Sequence, residues 1–413
     1  MAKNIVLIGT LDTKGPEMAY LKGFLESRGT TTTVVDVGTL GPPFLEPDYS
    51  AEEVASLAGF DLPALLRERE RGHIMEVMGK GAAILLLDLF EKGKVDGALG
   101  LGGNQGTSIC ASAMKALPLG LPKFLVSTVA SGDVRPFLGH KDIAIIFSVG
   151  DMLGGPNALT RSVLENAASA LLGMIHEGSG ALVDTEEKTI GITELGNTEK
   201  GASHAVKLLR GKGYEVLPFH ASGAGGSAME ELVEAGSIKG VFDLTPHELA
   251  EEVIGEGVYV PVRPGRMTAA SKKGIPQVVS TGGLEYLCFG PRESIPSRLR
   301  HRKIYMHNPM NANLKLSRRE MGEVGSTMAQ RLNLSRGPVA VMIPLRGWSV
   351  YGSEGGPFHD PKGNKALVDA LKESLMPDIQ VEEIDAHIND HCFIERCIQK
   401  LVNFMEAGEI GNQ

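Results

Sequence analysis

Residues 4–36 read NIVLIGTLDTKGPEMAYLKGFLESRGTTTTVVD, and the fold class follows from this stretch. Asn4–Ile8 is a short apolar run, and Gly9–Pro16 is a turn rich in Gly, Thr and Asp. Met18, Leu21, Phe24 and Leu25 recur at helical spacing, and Gly29 follows Arg28 as a stop signal. Thr33–Val35 predicts a second strand that ends in Asp36. Strand, helix and strand in that order make half of a βαβ unit, the crossover that two parallel strands require.

The same alternation runs outward from this stretch. Gly38–Tyr49 carries Gly and Pro breakers and reads as a loop; residues 51–92 read as helical. Val95–Leu99 predicts a strand running into GLGGNQGT, with a helix over Ala111–Leu117. Lys123–Val129 and Ile143–Val149 predict strands, and Ala158–Ile175 a long helix. Residues 176–187, HEGSGALVDTEE, read as a linker. The pattern then restarts. IVLIGTLDTKG and IGITELGNTEKG both pass from an apolar strand into a Thr-bearing turn ending in Lys-Gly, with Thr13 and Thr198 standing 185 positions apart. Further strands are expected at Tyr214–Phe219, Gly240–Leu244, Gln277–Ser280, Lys303–His307, Val339–Pro344 and Ile379–Ile384, with a terminal helix over Asp390–Phe404. Pro246 opens a helix at a first-turn position where its missing N–H is not needed. The expectation is two Rossmann-like, doubly wound parallel-sheet α/β domains, 1–180 and 185–413, with a ligand cleft between them.

Composition narrows the function classes. The chain has 413 residues, with 41 Lys plus Arg against 50 Asp plus Glu, a formal net charge of −9. That argues against a duplex nucleic-acid binder, which needs a concentrated basic face. Cys110, Cys288, Cys392 and Cys397 form no CxxC pair and read as reduced thiols, which points to a cytoplasmic protein. The longest apolar stretch, Ala82–Leu87, is broken by Asp88, so no membrane span is expected. The N-terminal apolar run is too short for a signal peptide.

In open parallel sheets, ligands lie beyond the carboxyl ends of the strands. Glycine loops fall there: GTLDTKG, GLGGNQGT, HASGAGG, TGG and GSEGGP. Such loops let backbone N–H groups approach phosphate oxygens, although neither a Walker A nor a strict GxGxxG is present. In the first loop Thr10, Asp12, Thr13 and Lys14 offer hydroxyls, a carboxylate and an amine, a set suited to phosphate with Mg²⁺ on Asp12. The alternative is a helix cap by Thr13 or Asp12. Asp36 is placed to bond ribose hydroxyls or to brace its loop. Gly102, Gly103, Gly106 and Thr107, with Thr128 at the end of the next strand and Ser131 past it, complete the candidate nucleotide site. In the second domain, Gly225, Gly226, Thr281, Gly282, Gly283, Gly355 and Gly356 are candidates for a second, anionic ligand, with His220 as base or phosphate donor. His307 and His359 stand at similar loops. His387, His391 and Cys392 cluster in sequence, but the two histidines need not share a helix face.

Taken in order, GTLDTKGPE, GLGGNQGT, FHASGAGGSAMEEL with FDLTPHELAEEV, YMHNP, GGPFHDP and DAHIND resemble the Tm-1-like ATP-binding family, the UPF0261 group of bacteria and plants, over essentially the whole chain. The resemblance implies two Rossmann-like subdomains, a homodimer and ATP bound with Mg²⁺. It also implies a TIM-barrel partner similar to phosphoenolpyruvate hydrolase. It places nucleotide contacts on Thr10, Asp12, Thr13, Lys14, Gly102, Gly103, Gly106 and Thr107, and names no reaction. Asn104 and Gln105 stand where small residues are expected, and ELGNTEKG departs from the family pattern at the second-domain turn. Two readings result: an enzyme or enzyme subunit acting on a phosphorylated or carboxylated metabolite, or a nucleotide-dependent regulatory protein without turnover.

Overall fold

The computed structural model describes residues 2–68, 70–178 and 188–410. It divides into two compact units, Met1–Leu182 and Val183–Gln413. Most of the expected 176–187 linker lies outside the described residues. Among the described residues, no helix is long and apolar enough to cross a membrane.

The first unit holds five parallel strands: β1 (Asn4–Gly9), β2 (Thr31–Asp36), β3 (Gly97–Gly102), β4 (Lys123–Ser127) and β5 (Ala144–Phe147), in the order β2-β1-β3-β4-β5. The central strands β1, β3 and β4 are buried on both faces and read as largely apolar runs, whereas the edge strand β2 opens with three Thr. In β1, Val6 and Ile8 enter one core, and Ile5 and Leu7 enter the core on the opposite face. The chain leaves β1, forms a turn in which Thr13 and Lys14 N–H both donate to the Thr10 carbonyl, and then runs as a helix to Glu26. Gly29, at φ +82°, reverses the chain into β2.

The second unit repeats the plan. β6 (Thr189–Glu194), β7 (Glu215–His220), β8 (Gly240–Asp243) and β9 (Gln277–Val279) are parallel. So are two later strands, β13 (Val339–Pro344) and β14 (Gln380–Ile384), and the order is β14-β13-β9-β8-β6-β7. The first five strands in chain order therefore sit as in the first unit. The turn after β6 also repeats the first one: Thr198 N–H and hydroxyl both donate to the Leu195 carbonyl, as Thr13 does to Thr10.

One expected strand belongs elsewhere. The segment around Lys303–His307 joins no parallel sheet. It is β11 (Ile304–Asn308) of a three-stranded antiparallel insert with β10 (Tyr286–Phe289) and β12 (Asn311–Lys315), in the order β10-β12-β11. The pattern hid this because Pro309 and Met310 close a tight hairpin, whereas a parallel return needs a long crossover.

The second unit is braced by Arg266, which is 1% exposed. Its guanidinium bonds Asp243 at the end of β8 through two hydrogen bonds of 2.8 Å. It also bonds Glu248 at 2.7 Å and Glu230 at 3.1 Å. Burial pushes its pKa down, but these three carboxylates overrule that and hold it well above its ordinary range. The excess negative charge is met by backbone: Gly223 and Gly226 N–H donate to Glu248, and Met267, Thr268 and Ala269 N–H donate to Glu230. Met267 takes φ +69°, a region L side chains rarely adopt, where those bonds to Glu230 hold it.

Removing one partner of a buried ion cluster leaves uncompensated charge, which costs about 3–5 kcal/mol. Arg266→Met should lose that much stability in urea titrations followed by the single buried tryptophan, Trp348, which belongs to this unit. Burial already holds the Glu230 carboxyl above its usual range. A carboxylate raised in the folded state costs stability above its folded pKa and is relieved by protonation. The deficit of the variant should therefore shrink as pH falls into the acid range. A pH-independent deficit would show that lost packing, not charge, is responsible.

Candidate functional site

In the first unit the strand order reverses between β1 and β3, the switch point at which such sheets hold ligands. The turns after these two strands come together there. A Cβ on Gly106 would lie 3.6 Å from Thr10 Oγ1, and Thr128 N–H bonds the Gly102 carbonyl at 3.2 Å. Thr10, Thr13, Gly103, Gly106 and Thr128 thus gather at one edge, with Thr10 and Thr13 hydroxyls 2.8 Å apart. The helices Leu11–Glu26 and Asn104–Lys115 both begin here, and the residues preceding them, Thr10 and Gly103, give no side-chain cap.

Other expected members have structural duties. Thr107 is fully buried, its hydroxyl bonded to the Gly102 carbonyl and to Ser127 Oγ at 2.7 Å. Asp36 is 3% exposed, and its Oδ1 accepts from Leu11 N–H at 3.0 Å and Gly38 N–H at 2.8 Å. Burial raises its pKa against those two bonds. Asp36 Oδ1 therefore braces the first turn, the loop role expected for it. Lys14 Nζ bonds the Met152 carbonyl and lies 3.7 Å from Asp151, so it reaches to the loop after β5. Ser131 is exposed. Asp12 Oδ2 accepts from Leu40 N–H, while its Oδ1 is buried with no partner.

The second-unit glycines divide differently from expectation. A Cβ on Gly225 would overlap the His220 carbonyl, and one on Gly226 would overlap Glu248 Oε2 and Arg266 Nε. The N-terminus of the helix Ala224–Ala235 thus already holds an anion, the chain's own Glu248. Gly282 is pressed on the Leu244 carbonyl and Gly356 on that of Tyr351, while Gly283 and Gly355 take φ +69° and +79°. These glycines shape backbone. Thr281 differs, because its buried Oγ1 has no partner.

A cavity of about 530 Å³ lies beyond the ends of β6 and β7, walled on one side by the antiparallel insert. His220 lines it, 2.8 Å from Glu194 through Nδ1, and so does His307, 3.0 Å from the Tyr351 hydroxyl. Tyr259, Tyr286, Tyr305 and Tyr351 supply aromatic walls. Asn197 donates to the Tyr286 hydroxyl, and its own Oδ1 is buried without a partner. His359 instead lines a wider cavity of about 1150 Å³ beyond β13, with His387. His391 stacks on His204 with ring centroids 3.9 Å apart, and His387 bonds the Ser349 carbonyl, so the His387–His391–Cys392 cluster is not assembled as a ligand set.

The residues missed by sequence reading lie at the edge of the 530 Å³ cavity. His247, Glu251 and Cys288 are buried and present ligand-type atoms within 4.8 Å of one another. Burial lowers the His247 pKa, but Cys288 and Glu251 hold it well above its usual value. Burial pushes the Cys288 thiol up, partly offset by His247. His247 and Glu251 stand four apart on a helix, which was a legible signal; Cys288 comes from β10, which was not.

Two family models cover the chain: the N-terminal domain of "Uncharacterised protein family (UPF0261)" matches residues 3–179, and its C-terminal domain matches 187–405. The chain belongs to this family. A UPF0261 protein of Clostridium tetani is 43% identical over 98% of this chain and 100% of that protein. The ToMV resistance protein Tm-1(GCR237) of Solanum lycopersicum is 33% identical over 96% of this chain and 55% of that protein, which supports the Tm-1-like relation. Among solved structures, a UDP-GlcNAc 2-epimerase of Methanocaldococcus jannaschii aligns over 98% of this chain and 93% of that one, at 10% identity and TM-score 0.23. The Rossmann-like assignment rests on the two parallel sheets themselves.

If Gly226 existed to admit a ligand, Gly226→Ala would fold and lose binding. Overlap with Glu248 and Arg266 predicts the reverse: a misfolded protein, or one with a strongly lowered melting temperature. Thermal denaturation with Gly355→Ala as control decides, since a Cβ there meets open space and the cost is the φ +79° strain of about 1–2 kcal/mol.

Proposed function

We propose that the first unit binds a magnesium nucleotide, ATP on the family resemblance, at the β1–β3 switch point. One observation carries the reading. A Cβ on Gly103 would meet only Thr128 Oγ1 at 3.7 Å, and one on Gly106 nothing nearer than 3.6 Å. Neither packing nor a positive φ requires a glycine at these positions. The space they leave open lies at the start of the helix Asn104–Lys115, which no side chain caps, beside the Thr10 turn, and an open helix N-terminus favours phosphate. Gly102 is the contrast: a Cβ there would overlap Gly106 and Thr107 backbone.

The unpartnered Asp12 Oδ1 fits a hard divalent cation, and the paired Thr10 and Thr13 hydroxyls belong to the same turn. Bound Mg²⁺ would neutralise a triphosphate on a chain of net charge −9. Asp12 would hold it, while the first-turn N–H groups after Gly103 orient the phosphates. Acting with a TIM-barrel partner on a phosphorylated or carboxylated metabolite, as a homodimer in the cytoplasm, completes this reading. The second reading, binding without turnover, is favoured by Lys14, which is tied to Met152 and Asp151.

Calorimetry with MgATP tests the site. Gly103→Val should keep native circular dichroism and weaken MgATP by about 10–100-fold, the worth of a hydrogen bond to a charged group. Gly102→Ala should instead destabilise the fold. Unchanged MgATP affinity in a folded Gly103→Val protein would remove the nucleotide from this edge. Phosphate release on mixing with MgATP separates turnover from binding alone.

A further inference from the structure

The His247–Glu251–Cys288 group poses a problem of unshared electron pairs. His247 Nδ1 lies 2.7 Å from the Gly283 carbonyl, which can only accept, so Nδ1 carries a proton and donates it. That directs Nε2 at Glu251 Oε1, 3.1 Å away. Glu251 is already an acceptor on both oxygens: Oε1 takes Cys288 N–H at 2.6 Å and Oε2 takes Tyr259 N–H. Cys288 Sγ completes the group, with the three ligand atoms within 4.8 Å of one another. Three electron-pair donors of three kinds converge, and either a proton on Nε2 or a metal cation can lie between them.

We propose that His247, Glu251 and Cys288 form a three-ligand site for Zn²⁺ whose fourth position opens toward the tyrosine-lined cavity. An imidazole, a carboxylate and a thiolate form a donor set that zinc accepts, and three protein ligands with one open position is the pattern of a reactive zinc site. In a tetrahedral site ligand nitrogen and oxygen lie roughly 3.4 Å apart, close to the 3.1 Å separation of Nε2 and Oε1. The outer contacts are already in place. The Gly283 carbonyl fixes the ring tautomer, and two backbone N–H groups orient the carboxylate. Cys288 lines the 530 Å³ cavity, which supplies the entry path. Oxygen ligands carried by a small planar molecule suit the open position. The aromatic walls match its faces, and the unpartnered Asn197 Oδ1 would take a hydroxyl or amino proton. The site is independent of the nucleotide reading, since all three ligands belong to the second unit.

The test uses the full chain stripped of metal with a chelator and titrated with Co²⁺, then Zn²⁺. One equivalent of Co²⁺ should raise a near-ultraviolet thiolate-to-cobalt charge-transfer band and visible bands of four-coordinate cobalt, and Zn²⁺ should erase both. Cys288→Ala should abolish the charge-transfer band with native circular dichroism, while Cys110→Ala keeps it. Because buried His247 variants can fail to fold, Glu251→Gln is the second probe. It keeps the shape and should weaken Zn²⁺ by more than the ~10–100-fold that losing an outer partner costs. Absence of cobalt uptake by the folded chain would overturn the site in favour of a buried imidazolium. A charge-transfer band that survives Cys288→Ala would equally overturn it.

Discussion

The Arg266 cluster is the constraint on which the second unit depends. Asp243 ends β8, Glu230 lies on the helix after β7, and Glu248 lies on the helix His247–Ile254, so one guanidinium ties three elements to a single sheet edge. Desolvating one cation with three carboxylates is affordable only because five backbone N–H groups share the negative charge. The consequence reaches the cavity. Glu248 turned toward Arg266 fixes the rotation of its helix, and its neighbours His247 and Glu251 face Gly283 and Cys288. The positive φ of Met267 is the local cost of bringing Arg266 into place.

The two units share a strand order and a Thr-bearing turn after the first strand of each, yet they use their helix N-termini differently. In the second unit the glycine loop after β7 closes on Glu248, an anion supplied by the chain. In the first unit the glycine loop after β3 holds no such anion: a Cβ on Gly103 or Gly106 would meet nothing nearer than 3.6 Å. The distinction between a glycine that admits backbone and one that leaves room is invisible in a motif, because both are written G. It is decided by what lies within 4 Å of the missing Cβ.

Particular residues show where sequence reading reached its limit. The central parallel strands were legible because they are buried on both faces, which writes unbroken apolar runs such as Ile5–Ile8 and Val339–Ile343. Thr10, Gly103 and Thr128 were legible as candidates because strand ends are where ligands sit. Asp36 and Thr107 were legible as polar residues at strand ends, but their burial under Leu11 and Ser127 was not.

By itself the sequence determined the class of fold, the restart near residue 189 and the positions of the strand-end turns, because these follow from periodicity, chain order and local turn chemistry; the family was legible only through the resemblance of its ordered motifs. Only the tertiary structure decided that β10, β11 and β12 form an antiparallel insert, that Glu248 fills the second glycine loop, and that Cys288 meets His247 across 41 residues of chain. The physical reason is the same in each case. Long-range pairing, burial of charge and convergence of lone pairs depend on which segments the packed core brings together. A local pattern of residues carries no record of its distant neighbours.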